Sequence, residues 1–198
     1  MLAAIRITVT LLKLRIGVAI AASTLAGIAV AEGPDFPAWR ALMLALAVLG
    51  ASGAAGAFNH YYERDVDREM QRTRSRPFAS GRLKPSAWWP VSFALLLAAS
   101  LALALAVGGV ISSLFVFLGA FTYGIVYTVW LKRRSAWNIV IGGLAGSFAV
   151  LAGSAAIDPS PQAVPIILAV VLFLWTPPHF WSLAAAKSND YAQAGVPM

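Results

Sequence analysis

The sequence has no cysteine in its 198 residues, and it has only two histidines and eight acidic residues. The absence of cysteine excludes disulfides, thiolate zinc sites and cysteine nucleophiles. Charged residues make up 12% of the chain, whereas they form roughly a quarter of a soluble domain. Hydrophobic residues make up 60%. This composition excludes an ordinary soluble domain and indicates a polytopic membrane protein.

Apolar stretches of about twenty residues, long enough to cross a hydrocarbon core of about 30 Å, recur along the chain. A cleaved signal peptide does not fit this repetition. We predict six spans, at residues 9–31, 39–58, 88–107, 114–131, 137–157 and 164–186. Lys13 and Arg15 interrupt the start of the first span, where their side chains can snorkel to the interface. Pro177 and Pro178 interrupt the last. The pattern predicts an all-α transmembrane bundle that forms a single domain over residues 1–198.

The basic residues fall almost entirely on one predicted side of the membrane. When the amino terminus is placed in the cytoplasm, all fifteen lysines and arginines except Arg40 lie on the inner side or at its edge. This asymmetry fixes the orientation by the positive-inside rule. The net charge of +7 therefore reflects membrane topology, and the sequence gives no indication of nucleic-acid binding.

Residues 59–86 form an island of charge, with four of the eight acidic and seven of the fifteen basic residues. Within it, Asn59, Glu63 and Asp67 are spaced by four residues, so a helix presents all three on one face. We call these three residues the stripe. Their hard oxygen donors suit Mg²⁺ better than zinc. The alternative is that they cap a solvated helix end and pair with nearby arginines.

Further basic residues are predicted to lie on the same side as the stripe. They are Arg72, Arg74, Arg76, Arg82 and Lys84, followed later in the chain by Lys132, Arg133 and Arg134. A metal ion and several cations together neutralise the charge that builds on a diphosphate leaving group. The pattern therefore predicts a site for a diphosphate ester, while topology alone explains each basic residue taken singly.

His179 and Asp190 are two more candidates, at the inner end of the last span. A lone histidine in an apolar segment is more often a packing residue than a ligand, yet its ring nitrogen needs a partner inside a membrane. The adjacent Pro177 and Pro178 free backbone carbonyls, which is tolerated where a helix lines an enclosed cavity. Asp190 lies on the same predicted side as Glu63, so the two can contribute to one site.

Four stretches of sequence resemble the UbiA superfamily of intramembrane prenyltransferases, and within it the branch that acts on haem. They are NHYYERDVDREMQRTRSRPFASGRL, YTVWLKRRSAWNIVIGGLAGSFAVLAGSAA, LFLWTPPHFWSLA and KSNDYAQAGVPM. Glu63 stands at the middle acidic place of the first motif and RTxxRP follows it, as in that branch. The resemblance implies transfer of the farnesyl group of farnesyl diphosphate to a vinyl group of protohaem IX, giving haem O and diphosphate.

The resemblance also implies roles for individual residues. The implied catalytic residues are Asn59, Glu63, Asp67 and Asp190, of which the first three hold Mg²⁺. The implied substrate-binding residues are Arg72, Arg76, Tyr127, Lys132, Arg133 and His179. His60 departs from the aspartate that the superfamily has at this place. The tyrosines Tyr61, Tyr62, Tyr123 and Tyr127 are candidates to face the allylic positive charge through their rings.

The fold implied by the resemblance is a nine-helix bundle. We therefore expect the last third of the bundle to lie outside this sequence and to be needed for activity. The implied partners are farnesyl diphosphate, protohaem IX and the lipid bilayer, with haem A synthase or oxidase assembly factors as protein partners and no nucleic acid. The implied location is a bacterial inner membrane, with the amino terminus and the active-site loops in the cytoplasm.

Other functions also fit some of these residues. A UbiA-type prenyltransferase that acts on an aromatic quinone precursor differs only in its acceptor, and a haem-dependent spectral change would separate the two. A transporter is disfavoured, because its ionisable residues mark a path through the membrane, whereas the acidic residues here lie at one interface. A purely structural subunit leaves the one-faced stripe unexplained.

Overall fold

A computed structural model describes residues 2–193 and 195–197. Every regular element within those ranges is helical. The α-helices are α1 (Leu2–Leu11), α2 (Leu14–Val30), α3 (Ala38–Tyr62), α4 (Arg64–Glu69), α5 (Trp88–Phe121), α6 (Asn138–Ile157), α7 (Ala163–Ala186) and α8 (Ser188–Gln193). A π-helical segment, Thr122–Leu131, continues α5. The predicted all-α architecture is confirmed.

Four helices among the described residues are long and apolar enough to cross a bilayer, and the bent pair α1 and α2 makes a fifth candidate. The helical stretch Trp88–Leu131 has 44 residues, about twice the length that one span needs. It breaks at Gly109, whose φ of 81° and ψ of −179° are essentially limited to glycine. Beyond the break, the Ser113 hydroxyl donates to the Leu101 carbonyl at 3.0 Å. The chain therefore reverses at Gly109, and the two arms of α5 account for the third and fourth predicted spans.

The first predicted span differs from the structure at its start. Two helices meet there at a bend of 51°, and Lys13 between them adopts a left-handed conformation with φ 49° and ψ 41°. This conformation costs an L-residue roughly 1–2 kcal/mol. The hydrophobic pattern of the sequence gives no sign of it and therefore predicts an unbroken helix. The Lys13 ammonium bonds to groups inside the bundle, so the predicted snorkelling is wrong for Lys13. Arg15 is exposed.

The last span is continuous, which corrects the predicted interruption at Pro177 and Pro178. Each proline removes one backbone donor from the helix. Side-chain hydroxyls bond to the helix on both sides of the pair: Thr176 donates to the Leu172 carbonyl and Ser182 to the Pro178 carbonyl, at 2.8 and 2.6 Å. Neither hydroxyl bonds to the carbonyls of Phe173 and Leu174, which lose their usual donors to the prolines. Membrane helices nevertheless tolerate proline where neighbouring helices pack around it.

Small residues and hydroxyls hold the helices together. A Cβ atom added at Gly153 of α6 would lie 2.0 Å from the Thr24 carbonyl oxygen of α2, so only glycine allows this approach. Ser112 donates to a carbonyl of α6, and Ser147 of α6 donates to a carbonyl of α7, each at 2.7 Å. Membrane helices associate in this way because lipid is as apolar as a leucine side chain. These contacts join α6 to α2, α5 and α7, and they frame a cavity.

Candidate active site

A cavity of about 310 Å³ lies between α2, α3, the second arm of α5, α6 and α7. Its deep part is apolar, and we call it the chamber; its lining includes Ile20, Val48, Ala51, Phe115, Val116 and Ala149. Its other end is polar, and we call it the mouth; its lining includes Lys13, Asn59, Arg72, Arg76, Tyr123, Tyr127 and Lys132. Val48 precedes Asn59 on α3 by about 16 Å along the helix axis. This shape suits an amphiphile with an anionic head and a hydrocarbon tail.

The stripe is buried, with Asn59, Glu63 and Asp67 exposed by 2%, 0% and 1%. Asn59 lines the mouth. Glu63 and Asp67 do not line the cavity themselves, but each bonds to a cation that does. Although α3 ends at Tyr62, the helical hydrogen-bond pattern continues across the junction with α4. The Glu63 amide donates to the Asn59 carbonyl and the Asp67 amide donates to the Glu63 carbonyl, at 3.0 and 2.8 Å. All three side chains therefore face inward. Asp65, which the spacing places elsewhere, is exposed and pairs with neighbouring arginines.

A cation contacts each member of the stripe. The contacts are Lys13 with Asn59, Lys132 with Glu63, and Arg76 with Asp67. The Lys13 ammonium donates to Asn59 Oδ1 at 2.7 Å. One guanidinium nitrogen of Arg76 lies 2.8 Å from both carboxylate oxygens of Asp67. The stripe therefore lies in a strongly positive surrounding, as an anion-binding site requires.

Glu63 has one satisfied and one unsatisfied carboxylate oxygen. Oε2 accepts from the Asn59 amide at 2.7 Å and from the Lys132 ammonium, whereas Oε1 is buried without a hydrogen-bond partner among the described residues. Burial lowers the pKa of Lys132 below its usual value, and the neighbouring Glu63 carboxylate opposes this effect. A buried acceptor without a partner is unfavourable. Glu63 Oε1 is therefore a carboxylate oxygen of the stripe that no described residue satisfies.

The stripe supplies two carboxylates and one amide as donors for a metal ion. No group of three or more His, Cys, Asp or Glu side chains suited to a metal occurs in the part of the chain that the structure describes. Asp190 does not join the stripe as a further donor: its carboxylate accepts from the backbone N–H of Arg72 at 3.2 Å. The neighbouring Tyr191 hydroxyl lies 3.5 Å from the Arg72 guanidinium. Asp190 thus fastens α8 to the loop that carries Arg72.

His179 and Arg133 lie away from the mouth. His179 is exposed, and its ring stacks on Trp175 with centroids 4.3 Å apart. The next residue, Phe180, lines the cavity, so His179 faces a different side of α7. Arg133 is exposed beside the buried Lys132. The structure brings together the other sequence-predicted site residues, namely Asn59, Glu63, Asp67, Arg72, Arg76, Tyr127 and Lys132, with Asp190 at the edge.

Two of the four candidate tyrosines face the cavity. The rings of Tyr123 and Tyr127 are stacked 5.7 Å apart in its lining. Tyr61 packs edge-on against Phe78, outside the cavity, and Tyr62 is 41% exposed. The two cavity tyrosines belong to the mouth, where their rings can face a cation that forms there.

Sequence reasoning missed two residues that contact the stripe. The Lys13 ammonium donates to Asn59 Oδ1 and to the Tyr123 hydroxyl, the latter at 2.6 Å. The Thr128 hydroxyl, which is buried, accepts from the Asn59 amide at 3.1 Å. A cation inside a membrane span is by default a candidate functional residue, and that signal could have identified Lys13. Nothing in the sequence distinguishes Thr128 from other threonines.

Three comparisons place the chain among known proteins. The UbiA prenyltransferase family profile matches residues 20–198. Protoheme IX farnesyltransferase 2 of Paramagnetospirillum magneticum is 56% identical, covering 100% of this chain and 69% of that protein. Protoheme IX farnesyltransferase 1 of the same organism is 50% identical, covering 96% and 66%. The corresponding protein of Granulibacter bethesdensis is 40% identical, covering 96% and 59%. The chain thus spans 59% to 69% of the lengths of these relatives.

The fold is similar to that of a UbiA homologue from Archaeoglobus fulgidus. Its structure bound to DMAPP and Mg²⁺ matches with a TM-score of 0.72, covering 96% of this chain and 67% of that one. Its structure bound to GPP and Mg²⁺ matches with a TM-score of 0.71 and the same coverage. The sequences are 18% identical, so this likeness concerns the fold alone.

Proposed function

The chain belongs to the UbiA prenyltransferase family, and from that premise we propose that it transfers the farnesyl group of farnesyl diphosphate to protohaem IX. The products are haem O and diphosphate. The observation that carries this proposal is an apolar chamber that ends at a cationic mouth, because a prenyl diphosphate has one hydrocarbon end and one polyanionic end. The names of the relatives that are 40% to 56% identical support farnesyl and protohaem as donor and acceptor. Residues 1–198 would form one UbiA-type membrane domain.

The stripe fits Mg²⁺ by its donor chemistry. Carboxylate and amide oxygens are the ligands that this ion prefers, and Glu63 Oε1 is a buried acceptor that no described residue satisfies. Asn59, Glu63 and Asp67 would hold the ion. When bound, Mg²⁺ supplies neutralisation of the charge on the diphosphate leaving group. The fold neighbour from A. fulgidus binds Mg²⁺ together with a prenyl diphosphate, which supports this assignment.

The cations of the mouth would bind and orient the diphosphate. Arg72, Arg76 and Lys132 line the mouth, where each can donate hydrogen bonds to phosphate oxygens. When the bond between farnesyl C1 and the diphosphate oxygen breaks, its electron pair leaves with diphosphate. The positive charge left on the allylic carbons would face the rings of Tyr123 and Tyr127, whose π systems attract cations.

The acceptor would complete the transfer from the side of α7. The π electrons of a protohaem vinyl group form the new carbon–carbon bond to farnesyl C1. Water then adds to the carbocation left on the porphyrin side chain, and a proton is released. Phe180 lines the cavity and the adjacent His179 is exposed. His179 would therefore hold the haem iron on the face of α7 that points away from the cavity. Arg133, exposed beside Lys132, would meet a charged group of the substrates at the rim.

The multi-pass chain is proposed to lie in a bacterial inner membrane with the mouth in the cytoplasm. The mouth carries the clustered basic residues, as the positive-inside rule requires of a cytoplasmic face. Arg40, the single basic residue predicted to lie outside, is at the opposite end of α3 from Asn59. Haem A synthase or oxidase assembly factors would receive the product.

The direct test of this function uses membranes that contain the full-length protein. They are incubated with labelled farnesyl diphosphate, haem and Mg²⁺, and the porphyrin mass is then measured. We expect a product heavier than protohaem IX by one farnesyl group and one hydroxyl group. Label on a quinone precursor instead of haem would favour the other acceptor class, and no prenylated product with either acceptor would contradict the proposal.

A further inference from the structure

Lys13 has no part in the function proposed above, and its position is unusual for a lysine. It lies at the break between α1 and α2 with left-handed φ and ψ angles of 49° and 41°. Lys13 lines the mouth, as does Asn59 of the stripe. Residues held in such a conformation persist where their surroundings require it, often at functional sites. The break has the effect of carrying the ammonium group into the bundle.

The charge balance at the mouth points to a missing anion. Four cationic side chains line the cavity: Lys13, Arg72, Arg76 and Lys132. Within the described residues, Arg76 and Lys132 form salt bridges with carboxylates, whereas Lys13 and Arg72 form none. Arg72 is exposed to solvent and Lys13 is only partly so. An ammonium group withdrawn from water without a carboxylate partner is unfavourable, so packing alone does not explain Lys13.

The hydrogen bonds of Lys13 leave it able to bind a ligand. Its two acceptors, Asn59 Oδ1 at 2.7 Å and the Tyr123 hydroxyl at 2.6 Å, are both neutral. An ammonium group has three N–H donors. Because the side chain lines the cavity, the third donor can reach an anionic oxygen at the mouth.

Lys13 also determines how Asn59 is oriented. Because an ammonium group can only donate, its partner on Asn59 must be the amide oxygen. The amide nitrogen is then directed to Glu63 Oε2 and the Thr128 hydroxyl, at 2.7 and 3.1 Å. A ligand that draws the ammonium away would release Asn59 Oδ1 for another cation, so Lys13 links the head-group site to the stripe.

We propose that Lys13 binds the diphosphate head group of the substrate directly, and that the break in the first span serves to present it at the mouth. This inference rests on the proposed function. It adds a cation from the amino-terminal span to the head-group contacts that the loops after α4 and after the π-helical segment provide. Lys13 is accordingly a substrate-binding residue. Its loss weakens the binding of the diphosphate head group and not that of the farnesyl tail.

The test measures equilibrium binding of farnesyl thiodiphosphate, an analogue that resists transfer, to the purified full-length protein in detergent with Mg²⁺. Lys13→Met should weaken binding about 10- to 100-fold, which is the loss expected for one hydrogen bond between charged groups. Lys13→Arg keeps the charge, so its affinity should lie between those of the wild type and Lys13→Met. Arg15→Met is the matched control, because Arg15 lies two residues further along, in the first turn of α2, and is exposed; it should bind like the wild type.

Farnesol, which has the same tail and no phosphate, separates head-group binding from structural damage. Weaker binding of the analogue with unchanged binding of farnesol in Lys13→Met supports the proposal. Equal weakening of both ligands would make Lys13 a structural residue and overturn it, as would unchanged binding of the analogue. Failure of the wild type to bind the analogue would instead contradict the proposed function itself.

Discussion

The two ends of the bundle use buried cations differently. At the outer end, the Arg40 guanidinium donates two hydrogen bonds to the Val107 carbonyl, at 2.7 and 3.0 Å, next to the reversal at Gly109. A helix break leaves such a carbonyl without its usual donor, so Arg40 meets a demand of the fold. At the mouth, Glu63 Oε1 has no partner among the described residues, and the Lys13 ammonium bonds only to neutral oxygens. Polar groups that the fold leaves unsatisfied thus distinguish the end that binds a ligand.

The largest expected effect is at the stripe. Glu63→Gln and Asp67→Asn should each lower farnesyl transfer by about 100- to 1,000-fold, as removal of a charge-stabilising group typically does, because each removes a charged oxygen from the proposed metal site. The measurement is turnover by full-length protein at equal amounts inserted in the membrane. Glu69→Gln is the matched control, since Glu69 is exposed on α4. Unchanged turnover in either stripe variant would contradict the proposal that the stripe holds the metal ion.

A substitution at the outer end should lower the stability of the fold and leave ligand binding unchanged. Arg40→Met leaves the Val107 carbonyl without its donor, and a buried unsatisfied polar group destabilises by about 1–3 kcal/mol. We expect a lower thermal unfolding midpoint in detergent and an unchanged affinity for farnesyl thiodiphosphate. Arg6→Met serves as control, because Arg6 is exposed on α1. A loss of affinity equal to that expected of Lys13→Met would contradict the distinction between the two ends.

Gly109→Ala should lower the unfolding midpoint by the same amount as Arg40→Met or by less. An alanine held at φ 81° is strained, by about 1–3 kcal/mol, while no other group lies within 4 Å of the added Cβ atom. The unfolding midpoint should fall without a change in ligand affinity. Gly146→Ala is the control for the unfolding midpoint alone, because Gly146 lines the cavity. Its added Cβ also has no contact within 4 Å among the described residues beyond its own helix, and its helical backbone suits alanine. An equal midpoint for both variants would contradict the strained reversal.

Of these substitutions, His179→Ala should have the smallest effect on binding of the prenyl donor. His179 stacks on Trp175 away from the cavity, so the affinity for farnesyl thiodiphosphate should not change. The spectral change that follows haem binding should be lost, because the proposed iron ligand is gone. Trp175→Phe preserves an aromatic partner for the ring and is the matched control. Weaker binding of the thiodiphosphate to His179→Ala would indicate that α7 contributes to the mouth.

The parts of the fold that depend on local spacing were predictable from the sequence. The stripe follows from four-residue spacing, which survives the junction at Glu63 because the helical hydrogen bonds continue across it. The gap between the third and fourth predicted spans, at residues 108–113, contains the reversal at Gly109. Pro177 and Pro178 were expected to interrupt α7 and do not, because a membrane helix tolerates proline where neighbouring helices pack around it.

The parts of the site that depend on tertiary contacts were not predictable. The inward course of Lys13 requires a left-handed residue within an apolar run, and the hydrophobic pattern gives no reason to expect one. The pairing of Asp190 with the Arg72 backbone depends on how α8 docks. The outward position of His179 depends on which side of α7 packs against α6. Because α7 is apolar on nearly all sides, its sequence does not indicate which side that is.

The central claim is that a prenyl diphosphate lies with its head at the mouth and its tail in the chamber. A farnesyl diphosphate analogue with a photoreactive group at the end of the tail tests this directly, when the labelled peptides are located by mass spectrometry. We predict adducts within residues 115–120 and 142–149, which line the chamber, and their loss when excess farnesyl diphosphate competes. Adducts confined to the exposed aromatic side of α7, around Trp175 and Trp181, would contradict the claim.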